Sequence, residues 1–111
     1  MGTIYQRSVE KPDETSEFPD GSRADIVYIG DTMVVRSTML PGWSWEKYVK
    51  PMVDSDSCPM SHREFVLSGS IRYVMEDGSE TIGQPGDYLV IEPGHLANVV
   101  GHVPCVTLDW E

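Results

Sequence analysis

The stretch QPGDYLVIEPGHLANVV, residues 84–100, decides the fold. A Pro-Gly-Asp corner at Pro85–Asp87 leads into DYLVIE, a run rich in β-branched and aromatic side chains. A second Pro-Gly corner at Pro93-Gly94 ends that run, and ANVVG follows after His95. Proline and glycine at both ends block helix continuation, and the run between them is too short for a stable helix. The segment reads as a strand held between two turns.

The same punctuation continues in both directions. Downstream, PCVTLDW closes the chain; upstream lie ETI, SIRYVM, a break at Ser68-Gly69, and REFVL. Glu76-Asp77-Gly78-Ser79 is a hairpin signal, because Asp-Gly accepts a positive φ. Further back, IVYIG turns at Gly30-Asp31 and TMVVRSTML runs to Pro41-Gly42. WSWEKYV, residues 43–49, reads as another strand, with Trp43, Trp45, Lys47 and Val49 on one face and Ser44, Glu46 and Tyr48 on the other. No 3.6-residue period persists beyond two turns, so no helix is expected. Turn residues every 8 to 12 positions or so point to an antiparallel all-β sandwich or barrel. Residues 9–25 are polar and acidic, with Pro12, Pro19 and Gly21. They predict an irregular arm, residues 1–25, ahead of one barrel domain over residues 26–111. Ile4, Tyr5 and Phe18 are its apolar anchors, for the barrel or for a second subunit.

A chain of 111 residues fits one domain. Eight basic against 18 acidic side chains give a net charge of −10, which disfavours nucleic acid and anionic lipid as partners. No apolar run approaches the roughly 18 residues of a membrane span. Met1 to Ser8 lack the layout of a signal peptide, so a cytoplasmic location is expected, with Cys58 and Cys105 as free thiols.

Two segments carry a family likeness. HREFVLSGSIRYVMEDGSE, from His62 to Glu80, resembles the end of the first cupin motif, with Val66-Leu67-Ser68-Gly69 as its strand and turn. Gln84–Val100 resembles the second motif. Phe18-Pro19-Asp20-Gly21, Pro41-Gly42-Trp43, Val49-Lys50-Pro51, Cys58 and Pro93-Gly94-His95 extend the likeness to a group of small bacterial cupins of unassigned activity. The resemblance implies an antiparallel double-stranded β-helix with a small-molecule pocket. The usual cupin metal set, however, does not carry over. Its glutamate position holds His62 and its last histidine position holds Ala97. Its paired histidines fall on Asp56 and Cys58, or on Tyr48 and Lys50 if residues 51–61 are an inserted loop.

Cys58, His62 and His95 form the candidate metal set, since thiolate and imidazole suit zinc or another divalent ion such as iron, nickel or manganese. Four extended residues span about 13 Å, so Cys58 and His62 converge only if Pro59-Met60-Ser61 bends. Asp56 or Tyr48 is the candidate fourth donor. Without a metal, His62, His95 and Tyr48 are candidate catalytic groups, the imidazoles as acid or base and Tyr48 as an oxyanion donor. Trp43, Trp45, Lys50 and Glu92 are candidate substrate contacts. The bland alternative makes Cys58 a small buried residue, the tryptophans core or interface bulk, and Lys50 a solvated charge. His102 is expected at the surface, Cys105 buried, and Trp110 packed on the last strand. The expected function is small-molecule binding, as an enzyme in the first reading and as a non-catalytic or sensory binder in the second. A homodimer is expected because open sheets leave edges to cover.

Overall fold

The computed structural model describes residues 2–111, and nearly all of its regular structure is antiparallel β. The strands are β1 (Glu14–Glu17), β2 (Arg23–Ile29), β3 (Thr32–Met39), β4 (His62–Ser68), β5 (Ser70–Met75), β6 (Glu80–Gly83), β7 (Tyr88–Ile91), β8 (His95–Val100) and β9 (Cys105–Trp110). A six-stranded sheet runs β1-β2-β3-β9-β4-β7, and a three-stranded sheet runs β6-β5-β8. The strand over residues 88–91 stands between the two Pro-Gly corners, as its sequence requires.

Alternation places the core. On β8 the residues are buried and half-buried in turn, with His95, Ala97 and Val99 inward. On β4, Glu64 and Val66 share the buried parity. Val66, Ile71, Ile91, Val99 and Cys105 then fill the space between the sheets with Trp43 and Trp45. Gly69 joins β4 to β5 at φ +72°, and a Cβ there would stand 2.2 Å from the Pro104 carbonyl oxygen, so no larger residue fits.

Two expectations are corrected. WSWEKYV is not a strand: Trp45–Tyr48 form a one-turn helix, α1, followed by a 3-10 turn over Lys50–Met52. Ser44 Oγ accepts from the Lys47 backbone N–H at 3.2 Å, capping the helix. Trp45 and Val49 share a face in a strand and also lie four apart on a helix, so parity could not separate the two readings. The cap decides it. The arm is not irregular throughout either. β1 pairs with β2 in a hairpin, and β2 starts at Arg23. All four β1 residues are exposed, so there was no alternation to read. Of the arm's anchors, Phe18 packs edge-on to Trp43 at 6.1 Å between centroids, whereas Ile4 and Tyr5 are exposed.

Candidate functional site

The site lies at the end of the barrel where β4 and β8 begin and β9 ends. β4 presents His62 and Glu64, β8 presents His95, and β9 presents Asp109. Cys58 belongs to no strand. Its N–H donates to the His95 carbonyl at 2.9 Å, and its own carbonyl accepts from Gly94 N–H at 2.8 Å. That short bridge beside β8 fixes the thiol, and the chain between Cys58 and His62 bends as their convergence requires. Cys58 Sγ lies 3.7 Å from His62 Nε2.

The donor atoms of Cys58, His62 and His95 lie within 4.8 Å of one another. Both rings are oriented from behind. His62 Nδ1 faces Asp109 Oδ2 at 3.2 Å, and His95 Nδ1 donates to the Glu92 carbonyl at 2.7 Å. A carbonyl can only accept, so His95 carries its hydrogen on Nδ1 and leaves Nε2 as the free donor atom. With zinc–sulfur and zinc–nitrogen bonds of about 2.3 and 2.0 Å, tetrahedral ligands stand roughly 3.3–3.6 Å apart. The sulfur–nitrogen separation is already close to that. The three residues fit a borderline-soft divalent ion and leave a coordination position open.

In the metal-free protein the cluster carries charge. Burial works against a thiolate at Cys58, but hydrogen bonds with His62 and His95 and one from the Met60 backbone bring its pKa down to about 6. Burial also opposes a charged His62, but Asp109 and Cys58 raise it to about 10. Thiolate and imidazolium hold each other.

Behind them lies a cavity of about 230 Å³, walled by Phe18, Trp43, Trp45, Met39, Ile71 and Ala97 and reaching all three donor residues. Its polar lining includes Glu64, Tyr73 and Asp109, with Arg23 and Ser37. Glu64 is 3% exposed, and Tyr73 Oη donates to its Oε2, a hydrogen bond that ties the two sheets together. Burial and the Asp109 charge push Glu64 up to about 7, against the Tyr73 hydrogen bond. Burial and the Glu64 charge raise Tyr73 as well. The Tyr73 ring stands edge-on to His95 at 5.6 Å.

Of the candidate contacts, Trp43 and Trp45 line this cavity and Tyr48, Lys50 and Glu92 do not. Tyr48 lies half-buried against the core. Lys50 is exposed and pairs with Asp56 at 3.7 Å, which removes Asp56 as fourth donor because its side chain stands in solvent. Glu92 contributes its backbone carbonyl, while its side chain is exposed. His102 is exposed and Cys105 fully buried. Glu64, Tyr73 and Asp109 were missed. The signal for Glu64 was present, since in HREFVLS it shares parity with His62 and Val66.

No protein-family model and no curated protein matches the chain. Solved structures do. A sugar phosphate isomerase from the cupin superfamily of Silicibacter pomeroyi superposes with a TM-score of 0.67 at 16% identity, over 96% of this chain and 74% of that one. KdgF from Halomonas sp. gives 0.63 at 17%, over 99% and 92%. A cupin-like protein from Thermotoga maritima gives 0.58 at 17%, over 99% and 80%. Among the described residues no helix is long and apolar enough to cross a membrane. Two antiparallel sheets closed around a cavity, together with these neighbours, make the fold of this chain that of the cupin superfamily.

Proposed function

We propose that this chain is a metal-dependent enzyme acting on a small organic molecule, with the ion held by Cys58, His62 and His95. The observation that carries the reading is the pair of oriented imidazoles beside one thiol, each ring held from behind by an oxygen acceptor. Such outer partners fix the tautomer a metal ligand needs. A bound divalent ion would supply Lewis acidity toward an oxygen of the substrate. The chain's own residues do the rest. Asp109 keeps the His62 hydrogen on Nδ1. Trp43, Trp45 and Phe18 exclude water and offer flat apolar contact to the ligand. Glu64 and Tyr73 hold a proton between Oε2 and Oη at the cavity wall, where a buried carboxyl near neutrality can give or take one. The neighbours include an isomerase, a class of reaction that such proton traffic serves.

Elemental analysis of protein purified without added metal tests the reading, followed by titration of the stripped protein with zinc, iron, nickel and manganese. Stoichiometric metal, lost in Cys58→Ser and in His95→Ala, supports it. Failure of every ion to bind the folded protein overturns it and leaves a metal-free binder. A homodimer belongs to the same proposal, because Tyr88 and Val90 on the β7 edge are exposed; light scattering tests it.

A further inference from the structure

The two cysteines occupy opposite environments. Cys105 is fully buried in the core and outside the cavity lining, where burial and the Glu64 charge push its thiol up. Cys58 lines the cavity, with His62 Nε2 at 3.7 Å from its sulfur and Asp109 Oδ2 at 3.2 Å from the far nitrogen of that ring. Cysteine, histidine and orienting carboxylate stand in sequence, an arrangement that activates a nucleophile in hydrolytic enzymes. Among the described residues Asp109 Oδ1 is buried without a partner, and Oδ2 faces the ring.

We propose that the Cys58–His62–Asp109 relay makes Cys58 a modification site for small electrophiles that enter the cavity, hydroperoxides in particular, and that modification and metal binding exclude one another. The second half rests on the metal reading above; the first does not. In the reaction, Cys58 Sγ attacks the nearer oxygen of the hydroperoxide. A sulfur–oxygen bond forms and the oxygen–oxygen bond breaks. Sulfur is oxidised by two electrons to a sulfenic acid, and the peroxide is reduced to water or an alcohol. The proton shared between Cys58 Sγ and His62 Nε2 passes from the ring to the departing oxygen. The sulfenic acid no longer offers a thiolate, so the ion loses a ligand.

The test uses the folded, metal-stripped protein, treated with hydrogen peroxide or with iodoacetamide, and follows both cysteines by peptide mass spectrometry. Cys58 is expected to react on the order of 10²-fold faster than Cys105. Asp109→Asn should slow Cys58 by about tenfold or more; if that variant fails to fold, His62→Gln gives the same readout. Equal rates for the two cysteines, or an unchanged rate in these variants, overturn the relay. Preloading with zinc chloride should protect Cys58. Unprotected reaction at saturating zinc overturns the exclusion and the metal reading while the relay stands. An inert Cys58 in a protein that binds zinc stoichiometrically overturns the relay and leaves the metal reading intact.

Discussion

Glu64 and Asp109 stand directly opposite one another across the β4–β9 ladder, two carboxylates on the same inward face. Like charges so placed in a partly dry wall do not both ionise freely, and the more buried one keeps its proton longer.

That relationship predicts a pH dependence in the metal-free protein. The folded pKa of Glu64, about 7, exceeds the ordinary value of 4.5 that it has in the unfolded chain. The stability contributed by the protonated carboxyl is therefore complete below about pH 4.5 and is lost as pH rises through about 7. Glu64→Gln should be the more stable protein above that window, by roughly 3 kcal/mol, with the gap closing at acid pH. Urea unfolding at the two extremes checks it, and a gap independent of pH would contradict the assignment.

At the proposed metal site Asp109 would orient His62 without being one of the three candidate donors. Asp109→Asn should weaken zinc affinity by about 10- to 100-fold. Lys50→Ala and Glu92→Ala should leave it unchanged, since both side chains are exposed outside the cavity. Calorimetric titration with zinc separates the two outcomes.

Gly69 carries the sharpest steric prediction. Gly69→Ala would drive a Cβ to 2.2 Å from the Pro104 carbonyl oxygen at a φ of +72°. The backbone must move on both sides, which should cost at least about 3 kcal/mol. Thermal or denaturant unfolding of the purified variant measures this.

The cap on α1 is a smaller effect. Ser44→Ala removes the acceptor for the Lys47 N–H and should cost about 1 kcal/mol. A fluorescence change at Trp45, buried at the start of α1, should accompany it.

The barrel was legible because its punctuation is local. Pro93-Gly94 and Ser68-Gly69 announce corners that no helix tolerates, and the strands on either side alternate cleanly. Cys58, His62 and His95 were legible as chemistry by residue type, but their convergence depends on a backbone bridge between Cys58 and His95 that no local pattern announces. Lys50 and Glu92 lie exposed outside the cavity, which their sequence neighbourhood could not announce because it says nothing of which way a turn sends them. Tyr73 and Glu64 meet across two sheets, and only the closed barrel brings them together. β1 escaped notice because ETSE is solvent-exposed on both faces.

The main-chain clamp on Cys58 also bears on how this scaffold can vary. Because the thiol's position is dictated by hydrogen bonds with Gly94 and His95, the exposed segment just upstream, from Pro51 to Asp54, need not position it. Insertions or deletions in that segment should be absorbed without displacing the sulfur. It is therefore a natural graft point, where a new loop could be spliced while Cys58 stays in place.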